Sequence, residues 1–212
     1  MRTDELIAAM AADAGKRSAP LGRSFLLAGL AAVLVAAIVF VATIGPRPDI
    51  AAAAETVRFL FKFVVTGVLA ATAFAALRAL ARPGASLRTV LPWLAAAPLM
   101  LLAAVAAEVM VVPSDSIGAL VMGTNRYVCL FFVPLIGLGP LGVFLAALRH
   151  GAPTRPRLAG AVAGIVAGGV AATFYAAHCT DDSPLFVVTW YSLAIMLLAL
   201  LGALLAPVVA RW

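Results

Sequence analysis

Seven consecutive residues, His178-Cys179-Thr180-Asp181-Asp182-Ser183-Pro184, form a polar island between two long apolar runs. The island holds a histidine, two carboxylates and one of only two cysteines; the other, Cys129, stands at the edge of another apolar run. Thiolates suit soft metals, imidazole suits Zn and Cu, and carboxylates add charge. Cys129 and Cys179, with His178, Asp181 and Asp182 as additional ligands, therefore make a candidate metal site. In an oxidising compartment the two sulfurs could instead form a disulfide, which needs Cα atoms about 4.4–6.8 Å apart. A third reading needs no chemistry. Asp182 or Ser183 caps the next helix with Pro184 at its first position, and the cysteines are small buried apolar residues.

The elements that must position these groups are membrane helices. The hydrophobic fraction is 65%, mean hydropathy is +1.12 and charged residues are 11%, far below the usual quarter for a soluble domain. A bilayer core needs about 20 apolar residues per helix. Six such runs are present, at roughly 24–44, 57–80, 90–112, 128–148, 158–177 and 185–209. Nothing alternates in the manner of outer-membrane strands. The expected fold is all-α, a single bundle of six transmembrane helices (24–212) behind an N-terminal segment (1–23). That segment has no apolar core and contains Asp4, Glu5 and Asp13, so it reads as retained rather than as a signal peptide.

Six spans put both termini on one side. That side carries eleven basic residues: Arg2, Lys16, Arg17, Arg23, Arg78, Arg82, Arg88, Arg149, Arg155, Arg157 and Arg211. The other side carries four: Arg47, Arg58, Lys62 and Arg126. The positive-inside rule then makes both termini cytoplasmic and the island extracytoplasmic. The net charge of +6 reports topology and contact with anionic membrane lipids; no direct nucleic-acid binding is expected. Cys129 lies about 25 residues before the turn at 153–154, and Cys179 about 25 after it. At ~1.5 Å per residue, both reach one height, at the extracytoplasmic rim.

Lys62 and Glu108 are the charges deepest in the apolar runs, each 23 positions from the turn near residue 85. Equal depth predicts an intramembrane Lys62–Glu108 pair, which lowers the cost of each charge; snorkelling is the alternative for Lys62. Ionisable residues so near one rim argue against a transport pathway, which uses the midplane. Gly160, Gly164 and Gly168 repeat a small-xxx-small spacing that lets helices approach closely. Pro92, Pro98, Pro134 and Pro140 read as helix bends.

In the N-terminal segment, Thr3 can cap a helix whose first turn holds Asp4 and Glu5. Leu6, Ile7 and Met10 then share one face, a stripe suited to a partner's groove. No P-loop, HExxH or Gly-x-Ser-x-Gly is present, and two cysteines cannot relay electrons as a quinone-linked disulfide enzyme does. No catalytic residue is expected and no cofactor is required; a metal ion at Cys129 and Cys179 is the one candidate.

The opening Met1-Arg2-Thr3-Asp4-Glu5-Leu6-Ile7, the following Ala11-Ala12-Asp13, six spans with little else, and His178 through Phe186 with Trp190-Tyr191 resemble the NrsF-type membrane anti-sigma factors of bacteria. The resemblance covers essentially the whole chain. It implies an inner-membrane protein that holds an extracytoplasmic-function sigma factor inactive. It also implies sensing by outward-facing cysteines, here Cys129 and Cys179, with heavy-metal stress as the trigger. Sigma-factor contact falls by inference on Leu6, Ile7 and Met10 and the cytoplasmic loops. The alternative class is a small metal or cation transporter, and a third is a membrane scaffold.

Overall fold

The computed structural model describes residues 3–5, 7–8, 21–83, 88 and 91–209. Long apolar stretches, which in lipid must satisfy their own backbone, form the helices. They are α1 (Leu21–Thr43), α2 (Ile50–Ala53), α3 (Val57–Leu80), α4 (Leu91–Leu94), α5 (Ala96–Val111), α6 (Ser114–Met122), α7 (Arg126–Leu148), α8 (Pro156–Ala176) and α9 (Pro184–Phe186). A π-helical turn (Val187–Tyr191) leads without a break into α10 (Ser192–Val209). Six helical stretches are long and apolar enough to cross a membrane: α1, α3, α4–α5, α6–α7, α8 and the α9–α10 unit. No strand occurs among the described residues.

α8 is the central helix and packs on α10, α3 and α7. Its glycines are the reason. A Cβ at Gly160 would lie 2.1 Å from the Gly202 carbonyl oxygen, and one at Gly164 would lie 2.2 Å from that of Leu198. On another side, Gly169 faces the Ala70 backbone at 3.1 Å. The small-residue stripe brings the α8 and α10 backbones into contact, and dispersion then holds them. α5 is peripheral, its main neighbours being α3 and the start of the last span.

The bundle has two ends. At one, Ala152 N–H donates to the Ala81 carbonyl (3.0 Å), and the Arg149 guanidinium donates to that of Val209 (3.0 Å). This is the arginine rim. The loops at 44–56, 112–125 and 177–183 meet at the other, the island rim. A core cluster lies toward each end, built around Phe25, Leu77, Phe144 and Leu148 near the arginine rim and around Tyr175, Phe186 and Tyr191 near the island.

Two elements depart from the sequence reading. Residues 114–122 form α6 rather than loop, and the last span contains a π-turn. α7 runs continuously through Pro134 and Pro140. Pro98 sits in the first turn of α5, where its missing N–H has no intrahelical role. Near the N-terminus, Thr3–Glu5, Ile7 and Ala8 are helical and exposed. Leu6 and Met10 lie outside the described residues, so the proposed stripe is seen only at Ile7, which is 60% exposed.

Candidate functional site: two buried thiols beneath a latched loop

Cys129 and Cys179 are free thiols with no solvent exposure, and both belong to the island-side core cluster. Cys129 lies in the first turn of α7, its amide donating to the Asn125 carbonyl (2.8 Å). Cys179 follows α8, its amide donating to the Tyr175 carbonyl (3.0 Å) and its Sγ lying 3.7 Å from the Asp181 carbonyl. The Tyr175 and Tyr191 rings meet edge-on, with centroids 5.6 Å apart, and both hydroxyls stand beside the Cys179 thiol. Burial pushes the Cys179 pKa up, opposed by the charge of Lys62, so the group is a neutral S–H at neutral pH.

The island holds the thiol in place through polar bonds to every part of the rim. The Ala177 carbonyl accepts from Arg47 N–H (3.0 Å). His178 Nδ1 lies 2.9 Å from the Gly45 carbonyl oxygen, so Nδ1 carries the proton and donates. The Cys179 carbonyl accepts from Lys62 Nζ (2.8 Å) and Arg47 Nη1 (3.4 Å). Asp182 pairs with the same two cations, Lys62 at 2.5 Å and Arg47 at 3.2 Å. Arg47 also forks onto Asp49 at 2.6 and 2.7 Å. That bidentate bond raises the Arg47 pKa and lowers that of Asp49.

Asp181 caps α7 from outside. Its carboxylate accepts from the amides of Thr124 (3.0 Å) and Asn125 (2.7 Å) and from Asn125 Nδ2 (3.0 Å). These amides precede α7, and Asn125 supplies no cap of its own, so a carboxylate there also complements the helix dipole. Ser183 caps α9, accepting from Leu185 N–H (3.2 Å), while its hydroxyl donates to Glu108 Oε2 (2.6 Å). Glu108 also accepts from Leu185 N–H (3.2 Å) and pairs with Arg58 (3.0 Å). One loop between α8 and α9 is thus bonded to the α1–α2 loop, to α3, to α5 and to the start of α7.

Two expectations are corrected. Lys62 and Glu108 do not pair: Lys62 is wholly buried against Asp182, and Glu108 takes Arg58, one turn nearer the rim. Equal height does not fix the direction in which a helix presents a side chain; α3 turns Lys62 toward the island and Arg58 toward α5. The five-residue ligand set is not assembled either. His178, Asp181 and Asp182 are engaged with Gly45, the α7 amides and the two cations. Among the described residues no group of three His, Cys, Asp or Glu side chains is placed to hold a metal. What remains is two sulfurs with apolar and phenolic surroundings. The capping alternative holds for Ser183, with Pro184 following, and not for Asp182.

Sequence reasoning passed over Arg47, Arg58, Thr124, Asn125 and Trp190 as site residues. Trp190 Nε1 donates to the Val121 carbonyl (2.7 Å), fastening α6 to the last span. Gly123 takes φ +52, and a Cβ there would lie 2.4 Å from the Phe186 ring and 2.9 Å from the Asp181 carboxyl carbon. Only glycine allows the α6–α7 turn to close this tightly. Arg58 had a signal, its place one turn before Lys62; the others carry none until the loops meet.

Fold and site define a polytopic helical membrane protein with two buried thiols under an ion-paired loop. Residues 10–212 match the family model NrsF, negative regulator of sigma F, and the chain belongs to that family. It is 37% identical over 217 residues to the anti-sigma-F factor NrsF of Caulobacter vibrioides, with both chains covered in full. It is 33% identical over 218 residues to the probable anti-sigma-F factor NrsF of Azospira oryzae, again over all of both chains. No solved structure matches.

Proposed function

We propose that this protein is an inner-membrane anti-sigma factor that sequesters a sigma factor of the extracytoplasmic-function class, and that Cys129 and Cys179 sense thiol-seeking metals or oxidants. The partner reading is supported by full-length similarity to two relatives that bear the anti-sigma-F name. Both termini face the cytoplasm in this reading, on the eleven-to-four split of basic residues.

The observation that carries the sensing role is the double clamp on Cys179. Lys62 and Arg47 hold its carbonyl and also hold Asp182, three residues on. A bulky adduct at Cys179, or a bond from it to Cys129, would disturb a loop bonded to four other parts of the bundle. A ligand acts on an equilibrium only through such a difference between two states. The buried sulfurs suit a soft metal acting as trigger. Its ligands would be Cys129 and Cys179, with no third donor free in the resting arrangement.

The test pairs Cys129→Ser, Cys179→Ser and the double substitution with sigma-factor co-purification from solubilised membranes, before and after exposure to a thiol-seeking metal. A sigma factor should copurify with the untreated parent and leave on treatment. All three variants should retain it. Normal release from the double variant would return both cysteines to packing residues. Ion flux in liposomes without a copurifying partner would favour a transporter.

A further inference from the structure

α1 packs on α7 and α8 and, toward α3, leaves an apolar groove of about 360 Å³. Its walls include Leu26, Leu30 and Val33 of α1, Gly67 and Phe74 of α3, and Val166 of α8. The three α1 residues are 46–63% exposed, so the groove opens on lipid. Val33 stands twelve residues beyond Leu21, where α1 begins. At ~1.5 Å per residue that is about 18 Å, past the middle of a ~30 Å hydrocarbon core. The groove therefore has the depth of one leaflet. On α3, Gly67, Ala71 and Phe74 line it and Arg78 follows at i+11 from Gly67, so one stripe of the helix passes from groove wall to cation. The Arg78 guanidinium lies 5.9 Å from the centre of the Phe74 ring, and a Cβ at Gly22 would lie 3.7 Å from its Nη2. The group thus spans the mouth of the groove, from α3 to the first turn of α1. Beside it, a second cavity of about 210 Å³ is lined by Ala75, Arg78, Ala79 and Arg82.

We propose that the groove and the arginines at its mouth bind an anionic phospholipid, with one acyl chain between α1 and α3 and the phosphate on Arg78 and Arg82. In a bilayer an apolar groove is filled by hydrocarbon, and the groups at its mouth select the headgroup. Both arginines are exposed. Beyond residue 20 the carboxylates are Asp49, Glu55, Glu108, Asp115, Asp181 and Asp182, all in or beside the loops of the island rim. The bundle therefore supplies no counter-charge to Arg78 and Arg82 at the other rim. Guanidinium groups hold phosphate oxygens in paired hydrogen bonds, and cations at the membrane surface favour anionic lipid. A chain in the groove completes the contact between α1 and α3. It ties the helix that follows the N-terminal segment to the helix that holds Lys62. Such binding needs neither cysteine.

Native mass spectrometry of the purified full-length chain in detergent tests this, with phosphatidylglycerol or phosphatidylcholine of identical acyl chains added. One phosphatidylglycerol should bind per chain, at least tenfold more tightly than phosphatidylcholine. Arg78→Gln combined with Arg82→Gln should remove that preference. A Cβ at Gly67 meets nothing within 4 Å, so Gly67→Leu enters the open groove and should weaken phosphatidylglycerol at least fivefold. Gly142 on α7 is equally open and lies outside the groove, so Gly142→Leu should bind as the parent does. Equal binding of the two lipids by the parent would overturn the headgroup site and needs no variant to fold. Displacement of the lipid by soluble glycerol phosphate would make the site one for free phosphate esters and overturn the lipid reading. Parental binding by folded Gly67→Leu would overturn the groove. So would a parental dimer that persists in excess lipid and that Gly67→Leu dissociates, which would make a second copy of the chain the occupant.

Discussion

Lys62 Nζ lies 2.8 Å from the carbonyl oxygen of Cys179, 117 positions further along the chain. The same ammonium is wholly buried and paired with Asp182. A membrane-embedded cation therefore joins α3, which runs on to Arg78 at the arginine rim, to the loop that carries a thiol. Ion pairs inside a membrane protein are costly to break and tend to be functional.

The two partners of this pair are not equivalent: Lys62 is wholly buried with no other carboxylate among the described residues, whereas Asp182 is part-exposed and also pairs with Arg47. Asp182→Asn, which orphans the buried cation, should destabilise the protein by about 3–5 kcal/mol, and Lys62→Met, which leaves Asp182 its Arg47 pair, should cost less. The double variant should lose less than the sum. Thermal unfolding in detergent measures this, and additive losses would show that the contact contributes no coupling.

Glu108 should behave asymmetrically with its two neighbours. Arg58 is half-exposed, but Glu108 is buried and has no other cation partner among the described residues, so Arg58→Ala leaves a buried carboxylate unpaired and should cost about 3 kcal/mol or more. Glu108→Ala leaves the buried Ser183 hydroxyl without its acceptor and should cost about 1–3 kcal/mol. A cycle of Glu108 with Arg58 should show coupling, and one with Lys62 should not; the reverse pattern would restore the pairing expected from depth alone.

The glycine contacts of α8 make a sharp packing test. Gly164→Val puts carbon against the Leu198 backbone, whereas a Cβ at Gly142 meets nothing within 4 Å. Overpacking costs about 1–3 kcal/mol, occasionally more. Gly164→Val should therefore reduce folded protein in the membrane, and Gly142→Ala should not. Equal yields of the two would mean α8 and α10 are further apart.

The output should depend on the N-terminal segment. Deleting residues 2–14, or changing Leu6 and Met10 to Asp, should free the sigma factor while the protein stays in the membrane. Continued repression at normal abundance would move the binding surface to the loops at 81–89 and 149–157.

Topology can be read with reporter fusions. Those after Pro113 and within 179–183 should be exported, and those after Arg82 and at Trp212 should not. An exported C-terminus would reverse the two rims.

The sequence by itself determined the six spans, the packing role of Gly160 and Gly164, and the island as the place where chemistry-bearing residues gather. Run length, small-residue spacing and residue type are local properties, and lipid enforces them. Depth along a helix can be estimated from sequence, since rise per residue is fixed; the structure places both cysteines in one island-side core cluster. Azimuth was not legible. Which way α3 presents Lys62 depends on what packs around it, so the partners of Lys62 and Glu108 emerged only in three dimensions. The same holds for Asp181, a presumed ligand that turned out to cap α7, because its partners lie 56 and 57 positions away. α6 and the π-turn also belong to the tertiary structure. Nine residues beyond Pro113, and one widened turn in an apolar run, are tied to the site only where Trp190 and Gly123 bring them to the island loop.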